Sequence, residues 1–164
     1  MSKNKGSHSP HTLAGAAFTE LLRAVFLVNG RLIAEGDRLT RDFGFTSARW
    51  QVLGAAGDAP RTVPQLARQM GLSRQSVQRL VDWLADGGFV RLIENPDHRR
   101  AKLVELTDKG VRTRANLQAR QVFWANDIGR TFSQQELDEA RDVLLRLRLA
   151  LSRPRKTAAR RSRG

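Results

Sequence analysis

Two groups of side chains in this sequence have types and spacing suited to chemistry, and in both cases the chemistry is hydrogen bonding to a polyanion. In the first group, Arg74, Gln75, Ser76, Gln78 and Arg79 follow Ser73 without a break in helical potential. Gln75, Gln78, Arg79 and Asp82 recur at i, i+3, i+4 and i+7, which puts them on one face of a helix. Val77, Leu80, Val81 and Leu84 repeat the same spacing on the other face and form a stripe to be buried. Arg, Gln and Ser in that position can hydrogen-bond base edges and phosphates. In the second group, Asp97, Arg99 and Arg100 sit in the turn-forming run Asn95-Pro-Asp-His-Arg-Arg-Ala101. Arginines at a hairpin tip suit the strongly negative potential of a narrow minor groove. Asp97 can pair with a guanidinium and fix its direction.

The elements that must position these groups can be read on either side of them. Thr62 is placed to N-cap a helix, with Gln65 three residues on as a capping box requires. Gly71 can end that helix in a left-handed C-cap, and Ser73 can cap the next one almost at once. Two helices joined by a short Gly-containing turn describe a helix-turn-helix, whose second helix enters the major groove N-terminus first. Gly87-Gly88 breaks the second helix. Residues 89–94 and 102–106 then read as a two-stranded hairpin carrying the basic tip.

These stretches resemble one known family. The runs Leu72-Ser-Arg-Gln-Ser-Val-Gln-Arg-Leu-Val81, Leu84-Ala-Asp-Gly-Gly-Phe-Val90, Asn95-Pro-Asp-His-Arg-Arg-Ala-Lys102 and Leu106-Thr-Asp-Lys-Gly110 are similar to the MarR (multiple-antibiotic-resistance regulator) transcription factors. The resemblance covers roughly residues 12 to 150. The Asp97-x-Arg99-Arg100 wing and the Leu-Thr-x-Lys-Gly ending are its most specific parts. It implies a mainly α winged helix-turn-helix with a small β-hairpin wing and an intertwined helical dimerisation region. It also implies a homodimer that answers small phenolic or aromatic ligands, or oxidants.

Composition points the same way. The chain of 164 residues carries a formal net charge of +13, which favours nucleic acid as partner. Arg153, Arg155, Lys156, Arg160, Arg161 and Arg163 supply six of those charges within a tail that has no acid. There are no cysteines, so disulfides and thiolate chemistry are excluded, and with them the peroxide-sensing mode that the resemblance allows. The histidines are His8, His11 and His98. His8 and His11 lack a nearby third ligand, so no metal site is expected. No Ser-His-acid set, P-loop or dinucleotide turn is present, and neither enzyme activity nor a cofactor is expected. No apolar run approaches the roughly 20 residues of a membrane span, and the N-terminus lacks the apolar core of a signal peptide. A cytoplasmic location and no membrane partner are the expectations.

In order, residues 1–11 read as a disordered arm, 12–151 as one domain and 152–164 as a basic disordered tail. Within the domain, the winged lobe is expected at about 46–107, with dimerisation helices at about 12–40 and 108–151. A long helix over 13–39 carries Ala14, Ala17, Phe18, Leu21, Leu22, Val25, Val28 and Leu32 as its stripe. A loop at 42–45 precedes a helix capped by Thr46, with Trp50 and Leu53 inward. Thr107 caps a helix to about Gly129, with Val111, Ala115, Val122, Ala125 and Ile128 as a looser stripe. Ser133 with Glu136 marks a last helix on which Leu137, Ala140, Leu144, Leu147 and Leu151 hold a/d spacing. Phe26, Phe43, Arg49, Trp50 and Arg114 are the candidates for a ligand site, and aromatic walls with an arginine suit an aromatic acid or its thioester. The expected function is a homodimeric repressor on a pseudo-palindromic operator in double-stranded DNA, released by such an effector. The alternative is an architectural basic protein that binds nucleic acid without sequence choice.

Overall fold

The computed structural model describes residues 11–98 and 100–152. The expected N-terminal arm, the basic tail and Arg99 therefore lie wholly or almost wholly outside the described residues. Among these residues, six α-helices and three strands follow in the order α1 (Leu13–Thr40), α2 (Ser47–Asp58), β1 (Arg61–Thr62), α3 (Val63–Met70), α4 (Arg74–Asp86), β2 (Val90–Ile93), β3 (Leu103–Leu106), α5 (Asp108–Gly129) and α6 (Gln134–Ser152). The chain falls into two compact units, Met1–Arg120 and Gln121–Gly164.

In the first unit the local signals hold. Thr62 and Gln65 form the reciprocal capping box of α3, and Gly71 takes the left-handed C-cap at φ 67°. Ser73 Oγ accepts the Ser76 N–H at 3.0 Å and caps α4. Thr107 Oγ1 accepts the Gly110 N–H at 3.1 Å and caps α5. The apolar stripe of α4 meets the other elements in one core, where Val52, Leu53, Leu66, Val77, Val81, Leu84, Val104 and Leu117 are fully or almost fully buried. Fully burying a side chain of this kind contributes about 1.5–3 kcal/mol, so the core is what fixes the α2–α3–α4 arrangement beneath the sheet.

The sheet differs from the two-stranded expectation. Arg61 and Thr62 add a third strand, paired antiparallel with β3 as Arg61↔Val104 and Thr62↔Leu103, and the order is β1-β3-β2. Two residues are too few for a period-2 pattern to register, so the strand was not legible beforehand. Residues Arg41–Phe43 form a 3-10 turn where a loop was expected. On α5 the buried apolar residue is Leu117, which the expected stripe omitted, while Val111 and Val122 are exposed.

The end of α1 is tied to α2 by side chains that stand in for missing backbone partners. Thr40 Oγ1 donates to the Gly36 and Phe45 carbonyls, each at 2.9 Å. Asp37 Oδ1 accepts the Ser47 N–H at 2.6 Å. The rest of α1 is largely exposed, including Phe26, Leu27, Val28, Leu32 and Ile33. One sequence expectation needs correction here. Residues Leu13–Phe43 form a helix long and apolar enough, by length and composition, to cross a bilayer. Glu20, Arg23, Arg31 and Glu35 punctuate this helix, so no uninterrupted apolar run marks it in the sequence.

In the second unit, Ser133 and Glu136 form the expected capping box. The Ser133 N–H donates to Glu136 Oε2 at 2.7 Å, and the Glu136 N–H donates to Ser133 Oγ at 3.2 Å. The Ser133 N–H, and after it the Ser133 hydroxyl, which donates to the same Oε2 at 2.8 Å, pull the Glu136 pKa below the ordinary carboxylate value. No residue of α6 is buried.

Candidate nucleic-acid interface

The outer face of α4 is open, and most of its long side chains are uncommitted. Arg74, Gln75 and Arg79 are exposed. Among the described residues they make no ion pair and no side-chain hydrogen bond. Gln78 donates to Asp82 Oδ1 at 2.7 Å, one turn along the same face. Arg74, Gln75, Gln78 and Arg79 line an open groove of about 510 Å³ together with Val63 and Pro64 from the first turn of α3. Val63 and Pro64 were not singled out beforehand, because an apolar pair beside a cap reads as core. Their packing beside α4 instead gives the groove an apolar wall. Ser73 and Ser76 are committed to the cap, with their hydroxyl oxygens 2.7 Å apart.

The wing is braced at its base and turned at its tip. Arg91 and Glu105 face each other across β2 and β3 in register and form an ion pair of 2.5 Å. Asn95 organises the turn, its Oδ1 accepting the Asp97 N–H at 3.0 Å and its carbonyl accepting the His98 N–H at 3.2 Å. Arg100 is exposed beyond that turn.

Behind α4, the run Leu106-Thr-Asp-Lys-Gly110 has a physical reason that spacing alone did not reveal. The Thr107 hydroxyl donates to the Gly88 carbonyl at 2.7 Å. Lys109 Nζ donates to the Gly87 carbonyl at 2.7 Å, at the C-cap of α4, and lies 4.3 Å from the Phe89 ring centroid. A Cβ at Gly110 would sit 2.0 Å from the Phe89 carbonyl oxygen, so only glycine lets α5 pass this close to the start of β2. Phe89 stacks on Trp83 at 5.9 Å with 14° between the planes, and the Arg49 guanidinium lies 3.8 Å above the Trp83 ring. Phe45 abuts both rings edge-on. Trp83 thus packs on its own domain.

The five candidate ligand residues are spread over separate contacts. Phe26 is 67% exposed on α1. Phe43 lies under the Arg120 guanidinium at 5.0 Å. Arg49 covers Trp83, and Trp50 packs against the core. Arg114 pairs with Asp58 at 2.7 Å and reaches the Gly57 carbonyl. None of the five lines the α4 groove. None lines the hollow of about 470 Å³ formed in the second unit by Phe123, Ala125, Asn126, Gly129 and Arg130.

A family model described as "MarR family" matches residues 43–101, the stretch that holds the groove and the wing. An uncharacterized protein of Mycobacterium tuberculosis is 36% identical over 135 residues, spanning 82% of this chain and 94% of the relative. The chain belongs to the MarR family. Its members are DNA-binding transcriptional regulators and not enzymes, and this chain is one of them. The HTH-type transcriptional regulator TcaR of Staphylococcus aureus is 28% identical over 112 residues, 65% of this chain and 72% of TcaR. Among solved structures, CouR of Rhodococcus jostii, crystallised with p-coumaroyl-CoA, superposes with a TM-score of 0.68 at 24% identity, covering 82% of this chain and 93% of CouR. That likeness shows the winged-helix fold. The family match begins at Phe43, after α1, and ends at Ala101, before β3, α5 and α6.

Proposed function

We propose that this regulator is a homodimeric repressor that reads a pseudo-palindromic operator with α4 and is released by an aryl acid or its thioester. The observation that carries the DNA-reading part is the open α4 face. Arg74, Gln75 and Arg79 have no side-chain hydrogen-bond partner among the described residues, Gln78 keeps its amide oxygen and one N–H beside its bond to Asp82, and all four are aligned beside the apolar wall of Val63 and Pro64. Arg recognises guanine and Gln adenine by paired hydrogen bonds, and an apolar wall suits a thymine methyl. Ser73 and Ser76 lie at the N-terminus of α4, where a phosphate is stabilised by the helix dipole. Arg99 and Arg100 take the minor groove, oriented by Asp97.

One copy of α4 reads only a few base pairs. Two copies related by a two-fold axis read half-sites roughly 34 Å apart and gain specificity from symmetry. The exposed apolar residues of α1 and α6 support that second copy. We read the α1 face as a protein contact and not a lipid one, because Glu20, Arg23, Arg31 and Glu35 interrupt it. The protein then works in the cytoplasm. The ligand carried by CouR supports an aryl thioester as effector here, with Phe26, Phe43, Arg49, Trp50 and Arg114 as its contacts once the dimer forms. Such a ligand releases DNA only by binding better to the conformation whose recognition helices are wrongly spaced.

The experiment is selection of binding sites from random DNA, with the enriched sequences titrated at low and high salt. The expected result is a two-fold symmetric motif whose preference survives salt. Binding without a motif, lost as salt rises, would instead support the architectural reading that the basic tail favours. Arg79→Ala should then cost about 1–3 kcal/mol on the operator and relax choice at one position per half-site. Arg99→Ala with Arg100→Ala should weaken binding most on A/T-rich flanks.

A further inference from the structure

Three basic side chains on the first four turns of α5 each reach the carboxyl end of a different helix. Lys109 reaches Gly87 at the end of α4, Arg114 reaches Gly57 in the last turn of α2, and Arg120 reaches Leu39 in the last turn of α1. Helix carboxyl ends carry unpartnered carbonyls and the negative end of the macrodipole, so a cation there satisfies both. Arg114 and Arg120 also hold carboxylates, Asp58 and Asp42. Lys109 has no carboxylate partner among the described residues. Its two contacts are the Gly87 carbonyl and the Phe89 ring, which lie on either side of Gly88, the residue between recognition helix and wing.

We propose that Lys109 is a positioning residue for DNA reading: it pins the carboxyl end of α4 and the root of β2 to α5, and so sets the angle at which Arg74, Gln75, Gln78 and Arg79 meet the bases. The inference rests on the reading of α4 as the base-reading helix. The contact run Arg49–Trp83–Phe89–Lys109 carries the constraint from α2 through α4 to α5. Lys109 acts on DNA through this frame and touches no base or phosphate itself. The hydroxyl bond from Thr107 to Gly88 holds the same strand root, and the Gly87 N–H is bonded back to the Trp83 carbonyl within α4, so among these contacts it is the Lys109 ammonium that ties the Gly87 carbonyl to α5.

The test uses the full chain and the operator obtained by selection. Lys109→Met keeps the aliphatic stem and loses the charge. It should weaken operator binding about tenfold while leaving binding to scrambled DNA within about twofold and the salt slope unchanged. Lys109→Arg should restore most of the loss. Arg49→Met, at the far end of the run and off the α4 face, should move operator binding the same way by less. Equal weakening on operator and scrambled DNA, with a salt slope lower by about 0.9, would make Lys109 a phosphate contact and overturn the proposal. Hydrogen exchange of the free protein supplies a readout without DNA. Amides 87–90 should exchange several-fold faster in Lys109→Met, with those of α3 unchanged, and no difference there would equally overturn it. A wild-type protein that selects no operator would sink the base-reading assignment of α4, while the exchange result would still decide the clamp.

Discussion

Helices α4 and α6 begin in the same way and end differently. Each starts at a serine whose hydroxyl accepts a backbone N–H three residues on, Ser76 for α4 and Glu136 for α6. Each carries an apolar stripe at helical spacing. In α4 that stripe closes: Val77, Val81 and Leu84 are 0% exposed. In α6 it stays open, with Leu137, Leu144 and Leu151 all exposed and Leu144 at 47%. A cap and a period are properties of one segment, whereas burial needs a facing surface. For α4 the chain supplies that surface from α2, α3 and the sheet. For α6 we assign it to the second copy of the proposed dimer, since exposed leucines repeated over a whole helix mark an interaction face.

Substitutions can break or sharpen this contrast. The largest effect is expected at Leu84→Ala, which leaves a cavity in a closed core and should cost about 2–5 kcal/mol of unfolding free energy by denaturant titration. Leu144→Ala is the informative counterpart. If a second copy covers α6, it should cost about 2 kcal/mol or more and make the unfolding midpoint depend on protein concentration. A loss well below about 1 kcal/mol with a concentration-independent midpoint would mean that the leucine is an ordinary surface residue and that the contrast is between buried and merely solvated stripes. Next come the caps. Ser73→Ala and Ser133→Ala should each cost about 1 kcal/mol, because the cap is local and indifferent to what the far face meets. Unequal costs would show that packing reaches the first turn.

The smallest effect is electrostatic. Bonds from Ser133 lower the Glu136 pKa in the folded state, so the folded protein binds that proton less readily than the unfolded chain. Its stabilisation is therefore present above the ordinary carboxylate range, near pH 4.3, and is lost as pH falls through the lower folded value. Comparing wild type with Glu136→Gln between pH 3 and 6 should show the difference shrinking toward acid. A difference that grows toward acid would mean the sign is wrong and the carboxylate is not held by the cap.

Much of the site was legible because its signals are short-range. Thr62 with Gln65, Gly71, Ser73 and Thr107 each act within four residues, and the alternation of Arg and Gln with Val and Leu in 74–84 follows from the helical period alone. The Asn95-Pro-Asp97 turn is equally local. What escaped was set across the chain. Arg61-Thr62 becomes a strand only because β3 offers a free edge, and Leu117 is buried only because α5 crosses the core at that residue. Gly110 reads as a helix residue of low propensity until the Phe89 carbonyl is found where its Cβ would stand. Lys109 reads as a solvated charge until Gly87 is found beside it. The five ligand candidates share suitable side-chain types, but type cannot bring Phe26 and Arg114 together; that is a matter of distance between segments.

By itself, then, the sequence determined where helices start and stop, which face of each is apolar, and which face of α4 bears hydrogen-bonding groups, since each depends on neighbours within a turn or two. Tertiary structure alone decided which apolar faces are closed and which carbonyls meet the cations of α5. It also decided how the recognition helix is held, because those contacts join residues tens of positions apart and exist only once the core has brought them within bonding distance.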